Sequence, residues 1–137
     1  MTETNRSDPP GVVCVVDDDT WVCDSLNVLL QTFGFAVLTY SSGEAFLADE
    51  RHRNTKCLVI DQHMPGLGGL AVIERLHRTG FRPPTVLITG RLDPAIVARA
   101  GEYGLLEVLE KPFPVARLIE LLSNCIWPPG QGTAPSD

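Results

Sequence analysis

Apolar and amphipathic stretches alternate along this chain from one end to the other. Five short, mostly apolar runs have the length of buried strands, at 11–17, 35–40, 57–61, 84–90 and 105–111. The five stretches that follow them carry apolar residues at helical spacing, at 20–34, 41–53, 68–80, 93–104 and 114–126. Strict β–α alternation of this kind predicts an α/β fold, a doubly wound parallel sheet with helices on both faces.

Residues at the helix starts support these boundaries. Asp19 is placed to cap the first helix, and Asp93 precedes Pro94, which suits the first helical position. Ser41 and Glu44 stand three positions apart, the spacing of a capping box. These signals predict helices that begin close to residues 20, 41 and 93.

Polar side chains stand where the predicted strands end. Asp17 and Asp18 follow the first strand, and Asp61 ends the third. Thr89 lies at the end of the fourth strand and Lys111 at the end of the fifth. Right-handed crossovers bring the carboxyl ends of parallel strands to one edge, which is where open sheets of this kind carry their sites. We therefore expect these five side chains to lie together.

Such a cluster of carboxylates must take up protons or hold a cation. Because all the candidate ligands are oxygens, a hard ion such as Mg²⁺ is indicated. A carboxylate relieved of repulsion in this way can act as a nucleophile and form an aspartyl phosphate. Lys111 and the Thr89 hydroxyl would then neutralise and position the oxygens of an incoming phosphoryl group.

Four motifs resemble the receiver domain of two-component response regulators: VVDDD, LVIDQHMPGLGGL, VLITG and LEKPF. The resemblance covers residues 11–126 and implies a flavodoxin-like fold with sheet order 2-1-3-4-5. It implies that Asp61 is the phosphoryl acceptor and that Thr89 and Lys111 contact the phosphoryl group. It also implies that the Lys111–Pro112 peptide bond is cis.

The same resemblance implies a set of Mg²⁺ ligands, namely Asp17, Asp18, Asp61 and the backbone carbonyl of His63. The His63 side chain is expected to be solvated. His63 and Arg91 each lie two positions past a site residue, where receivers vary and where side chains tune the lifetime of the phosphoryl group. We hypothesise the same role for these two residues here.

One position departs from the family pattern. Many receivers carry an aromatic residue three positions before the site lysine, and here that residue is Val108. A β-branched side chain has few rotamers and no ring to swing inward. Tyr103 is nearby in sequence, but it is expected to pack or to lie at the surface rather than to replace that ring.

Composition and charge limit the classes of partner and the location that the chain can have. The net charge of -6 argues against broad nucleic-acid binding, and no run of apolar residues is long enough to span a membrane. The polar first ten residues carry no secretion signal, so a cytoplasmic location is expected. The four cysteines contain no C-x-x-C pair and are expected to be reduced thiols. Residues 1–10 and 127–137 are expected to be flexible tails, although Trp127 itself is expected to pack.

The function predicted is signalling rather than metabolic catalysis. A sensor histidine kinase or a histidine phosphotransfer protein is the expected partner, and a homodimer through the fourth helix, fifth strand and fifth helix is a further hypothesis. With no output domain in the chain, a stand-alone regulator is expected, acting by changed protein–protein contacts. Two alternatives stay open: an interaction module that no longer accepts phosphate, and a small Mg²⁺ phosphohydrolase with Asp17 as nucleophile.

Overall fold

The computed structural model describes residues 11–127, which form a five-stranded parallel sheet in the order β2-β1-β3-β4-β5. The strands are β1 (Val12–Val16), β2 (Ala36–Tyr40), β3 (Thr55–Asp61), β4 (Thr85–Thr89) and β5 (Glu107–Glu110). The predicted strand order is therefore confirmed. β3 is the middle strand, so its final residue lies near the centre of the carboxyl edge of the sheet.

Five α-helices connect and follow the strands, as the sequence pattern predicts. They are α1 (Thr20–Thr32), α2 (Gly43–Ala48), α3 (Gly69–Arg78), α4 (Pro94–Glu102) and α5 (Val115–Ile126). A short 3₁₀ helix, Glu50–Asn54, lies between α2 and β3.

Side chains alternate along each strand between two apolar layers. Val13 and Val59 face one layer, which contains the buried faces of α1 and α5. Cys14 and Ile60 face the other, which is built on α2, α3 and α4. Because both faces of the sheet are covered, the strands read in sequence as continuous apolar runs. The site at the strand ends therefore stands on the buried central strands of the sheet.

Helix caps account for most of the boundaries. The Asp93 carboxylate accepts the backbone N–H of Ile96 at 2.9 Å, with Pro94 at the first helical position as predicted. The predicted capping box is wrong: Ser42, not Ser41, caps α2, and it accepts the N–H of Ala45 at 3.0 Å.

The single helix predicted over 41–53 is also wrong. Asp49 leaves the helical conformation after α2 and caps the 3₁₀ helix by accepting the N–H of Arg51. Aspartate competes for backbone hydrogen bonds in this way, which explains the break. Its other carboxylate oxygen accepts the Tyr40 hydroxyl at 2.8 Å and ties the break to β2.

The structure describes Trp127, the first residue of the predicted C-terminal tail. Trp127, assigned to the tail by the boundary at 126, packs on Phe35 with ring centroids 5.2 Å apart and contacts the layer of α1 and α5. The expectation that this ring packs is therefore correct. Residues 1–10 and 128–137 lie outside the described part of the chain. Within residues 11–127, every helix is too short or too polar to cross a membrane.

Candidate functional site

Three carboxylates converge at the carboxyl edge of the sheet. Asp17 is the first residue after β1, Asp18 follows it, and Asp61 is the last residue of β3. One oxygen from each lies within 4.8 Å of the other two. Asp17 and Asp61 are buried while Asp18 is exposed, so the cluster opens to solvent on one side.

Lys111 lies between the two buried carboxylates. Its Nζ is 3.1 Å from Oδ2 of Asp17 and 3.4 Å from Oδ1 of Asp61. Partial burial acts to lower the pKa of Lys111, but the hydrogen bond and attraction to Asp17 and Asp61 outweigh it, and the pKa is raised. The lysine therefore stays charged and compensates part of the negative charge. The Lys111–Pro112 peptide bond is cis, as the family resemblance implies.

One positive charge does not compensate three negative ones. Burial, and then repulsion from Asp17, raise the pKa of Asp61 above its ordinary value in spite of the Lys111 contact. Charge at this carboxylate is thus unfavourable in the bare protein. A further cation bound here would offset the repulsion between the carboxylates.

The donor set fits Mg²⁺. All the converging side-chain ligands are carboxylate oxygens, which hard cations prefer, and no thiol or imidazole atom belongs to this group. The exposed side at Asp18 leaves room for water and for phosphate oxygens, which Mg²⁺ commonly keeps among its ligands. The residues that would hold it are Asp17, Asp18 and Asp61. The His63 backbone carbonyl as a further ligand stays a prediction.

Thr89, fully buried at the end of β4, already has partners for its hydroxyl. It donates to the carbonyl of Arg91 at 3.0 Å and accepts the Arg91 N–H at 3.1 Å. Nε2 of His63 lies 3.0 Å from the same oxygen. The expectation of a solvated His63 side chain is therefore only half right, because the residue is exposed and yet hydrogen-bonded to a site residue.

Strand register could have indicated this contact. Asp61 of β3 pairs with Ile88 of β4, so the residues two positions past Asp61 leave the sheet beside the end of β4. His63 is thus within reach of Thr89, whereas no periodicity in the sequence signals the pairing of these two side chains.

The segment that leads from β3 into the start of α3 packs tightly against the backbone of Asp61. A Cβ atom on Gly69 would lie 2.7 Å from the Asp61 carbonyl oxygen, so only glycine permits this approach of α3 to β3. The Gln62 side chain accepts the Leu70 N–H at 2.8 Å, and Glu44 accepts the Leu67 N–H at 3.3 Å. Sequence reasoning missed both side chains, and Glu44 serves this loop instead of a capping box.

Asp19 does not join the acidic cluster. Its carboxylate caps α1 by accepting the Trp21 N–H at 3.0 Å, and its own N–H donates to Asp17 at 2.9 Å. The Asp19 carboxylate is thus used in the helix cap and not in the acidic cluster.

The residues considered for the switch lie apart. Val108 is half-buried on β5 and packs on the layer of α2, α3 and α4. Tyr103 caps the end of α4 and packs edge-on against His77, with ring centroids 5.3 Å apart. Since helices in this fold run back from the carboxyl edge, that end of α4 lies at the opposite edge of the sheet from Thr89. Tyr103 therefore does not take the place of the missing ring.

An apolar groove runs beside Lys111. It has a volume of about 700 Å³ and lies between α1 and the segment that follows β5, where its walls include Trp21, Leu26 and Phe113. Trp21 is 75% exposed. An exposed ring of this size next to a charged site is typical of a protein contact surface.

Comparison with known protein families agrees with this geometry. A family model described as "Response regulator receiver domain" matches residues 13–123. This chain belongs to the response regulator receiver family. Receivers are signalling phosphoacceptors of two-component systems and are not generally classed as enzymes, so the assignment favours the signalling prediction over the phosphohydrolase.

The curated relatives that this chain matches include a transcriptional regulatory protein and a response regulator protein. It is 34% identical over 116 residues to the transcriptional regulatory protein FixJ of Bradyrhizobium diazoefficiens, covering 85% of this chain and 57% of FixJ. It is 32% identical over 115 residues to the response regulator protein TodT of Pseudomonas putida, covering 84% of this chain and 51% of TodT. The chain thus spans about half the length of the curated relatives it matches.

Solved structures share the fold. The crystal structure titled FIXJ-N is 34% identical to this receiver, with a TM-score of 0.75 and coverage of 85% of this chain and 93% of that one. A CheY-like receiver domain protein from Methanospirillum hungatei JF-1 gives a TM-score of 0.76 at 21% identity, covering 85% of this chain and 93% of that one. The latter likeness is one of fold alone.

Proposed function

We propose that this receiver takes a phosphoryl group from a phosphohistidine onto Asp61, with Mg²⁺ held by Asp17, Asp18 and Asp61. The observation that carries the proposal is the convergence of three carboxylate oxygens within 4.8 Å, with Lys111 3.4 Å from Asp61. A structural ion pair needs one carboxylate for one lysine. The surplus of negative charge at the end of the middle strand is explained by a binding site for a cation such as Mg²⁺.

The proposed transfer follows from the positions of these side chains. The Asp61 carboxylate attacks phosphorus, the bond from phosphorus to the donor nitrogen breaks, and the leaving imidazole keeps that electron pair. Lys111 holds a phosphoryl oxygen by a charge-assisted hydrogen bond. When bound, Mg²⁺ supplies positive charge that offsets carboxylate repulsion and attracts the phosphoryl oxygens.

Thr89 couples the new phosphoryl group to the surface. Its hydroxyl must stop donating to the Arg91 carbonyl in order to donate to a phosphoryl oxygen on Asp61. The Leu92 N–H, just beyond this loop, donates to Glu110 on β5 at 3.2 Å. A movement of Thr89 would therefore pull on the loop that leads into α4. We expect this loop to transmit the change, because Val108 stands where many receivers carry an aromatic ring.

The groove beside Lys111 is the surface on which we propose that the phosphohistidine protein docks. Trp21 stands at its wall and contributes little to the core, because three quarters of it is exposed. Trp21→Ala should slow transfer from a phosphohistidine protein and leave transfer from acetyl phosphate unchanged. Equal rates of protein-mediated transfer in both chains would place the docking surface elsewhere.

The face of α4, β5 and α5 is where we propose that a second copy binds. Val97 on α4 and Leu106 before β5 are 50% and 41% exposed, and Arg117 on α5 pairs with Glu107 on β5. Sedimentation with and without beryllofluoride and Mg²⁺ tests this contact. A larger species that depends on beryllofluoride supports it, and a monomer in both states contradicts it.

A small phosphodonor tests the central proposal without a partner. Acetyl phosphate and Mg²⁺ should add one phosphoryl group to the intact chain, and chelation of Mg²⁺ should prevent the addition. Asp61→Asn should not be labelled, whereas Asp24→Asn, an exposed position on α1, should be labelled like the parent. A folded parent chain that never gains the group would favour the interaction module that works without phosphate.

A further inference from the structure

Two cysteines outside the acidic site lie in contact. Cys57 is on β3, four residues before Asp61, and Cys125 is in the last turn of α5. The Cys57 thiol donates to Sγ of Cys125 at 3.5 Å, although the residues are 68 positions apart in sequence. Each of the other two cysteines has its own partner: Cys14 contacts the Thr55 hydroxyl, and Cys23 donates to the Asp17 carbonyl.

The two thiols differ in access and in acidity. Cys57 is fully buried, whereas Cys125 is partly exposed. The hydrogen bond to Cys125, and then burial, raise the pKa of Cys57. The same hydrogen bond, supported by the charge of Lys56, lowers the pKa of Cys125. Since the thiolate is the reactive form, the accessible sulfur is also the more nucleophilic one.

We propose that Cys57 and Cys125 form a reversible disulfide when the protein meets a peroxide. The Cys125 thiolate attacks a peroxide oxygen and becomes a sulfenic acid, and the displaced hydroxide takes up a proton to leave as water. The Cys57 sulfur then attacks the Cys125 sulfur, the S–O bond breaks, and the hydroxide leaves with the Cys57 proton as a second water. Two thiols are oxidised by two electrons, and one hydrogen peroxide is reduced to two waters.

The location of the pair allows this reaction. Cys125 is one residue from the end of α5, so rotation of the side chains and a small shift of the last turn can bring the sulfurs from contact to bonding distance, about 2.05 Å. The resulting bond would tie the strand that carries Asp61 to the helix that follows Lys111. A thiol–disulfide pair of this kind in a reducing compartment is transient and responds to oxidants.

Thiol counting and peptide mapping test the proposal. Treatment of the full chain with hydrogen peroxide, followed by alkylation, should reduce the number of free thiols from four to two. A non-reducing peptide map should show Cys57 joined to Cys125, and dithiothreitol should restore all the thiols. The last turn of α5 should exchange its amide hydrogens more slowly in the oxidised chain.

Two variants and a matched control complete the test. Cys125→Ser, at a partly exposed position, and Cys57→Ala should each abolish the cross-link, while Cys23→Ser should retain it. Four free thiols in the folded, peroxide-treated parent would overturn the proposal, as would a cross-link between other cysteines or oxidation of Cys125 to a sulfinic acid without any cross-link. Labelling of Asp61 is measured separately, so failure here leaves the proposed phosphoryl transfer standing.

Discussion

At the scale of single residues, Asp61 is a carboxylate whose charged form is disfavoured in the folded protein. It is buried, it faces Asp17, and its cationic neighbour Lys111 is shared with that carboxylate. A raised pKa means that the folded protein holds a proton on Asp61 more tightly than the unfolded chain does. The wild-type fold therefore loses stability as pH rises through the folded pKa of Asp61.

Asp61→Asn removes this loss. In chelator at neutral pH, we expect the variant to be more stable than the parent by about 1 kcal/mol in urea unfolding. The advantage should vanish in acid, where Asp61 is protonated in both the folded and unfolded chains. Asp24→Asn is the control and should change little. A variant less stable than the parent at neutral pH would mean that the Lys111 contact outweighs burial and repulsion.

For His63, the structure indicates whether the side chain lengthens or shortens the lifetime of the phosphoryl group. Its ring lies at the rim of the site, 3.0 Å from the Thr89 hydroxyl. His63→Ala opens this rim to water, so the half-life of phosphorylated Asp61 should fall severalfold. His63→Gln keeps a donor near Thr89 and should recover part of the half-life. Equal decay rates in the parent and His63→Ala would show that His63 does not affect the lifetime of the phosphoryl group.

At the scale of secondary-structure elements, the approach of α3 to β3 positions Asp61. Gly69→Ala would place a methyl group 2.7 Å from the Asp61 carbonyl and 2.8 Å from Cδ1 of Leu87. We expect a loss of about 1–3 kcal/mol in the free energy of unfolding, as for other overpacked sites. Weaker Mg²⁺ binding should accompany it, because the end of β3 must move.

Gly101→Ala is the matched control for that substitution. Gly101 lies within α4, and a Cβ atom there meets nothing within 4 Å. Alanine favours the helix by about 0.5–1 kcal/mol over glycine, so this variant should be more stable than the parent. Thermal unfolding of the two variants side by side checks both signs, and a stabilising Gly69→Ala would contradict the packing described.

The secondary-structure elements also show which features of the fold could be predicted from the sequence. Periodicity and caps such as Asp93 located all five strands and five helices, because these signals act between near neighbours. The same local view erred over 41–53, where Asp49 forms a long-range contact with Tyr40 that competes with the helix. The acidic cluster was predictable from topology alone. The His63–Thr89 contact gives no signal in the periodicity, since it depends on the register of β3 with β4 and on the rotamers of both side chains.

At the scale of the whole molecule, the apolar layer of α1 and α5 extends to the last described residue. Trp127 packs on Phe35 there, whereas Trp21 points into solvent. Trp127→Ala should cost about 2 kcal/mol of unfolding free energy, less than a fully buried ring would. Trp21→Ala should leave it within about 0.5 kcal/mol of the parent. Equal stability of the two variants would place the boundary of the domain before Trp127.

The proposed function depends on one carboxylate at the end of the middle strand. The most direct measurement is peptide mapping of the chain after reaction with acetyl phosphate and Mg²⁺, with the acyl phosphate trapped by borohydride reduction. We predict a single modified residue, Asp61, and no modified residue in Asp61→Asn. Modification at Asp17 or Asp18, or a folded chain that stays unmodified at every aspartate, would contradict the account.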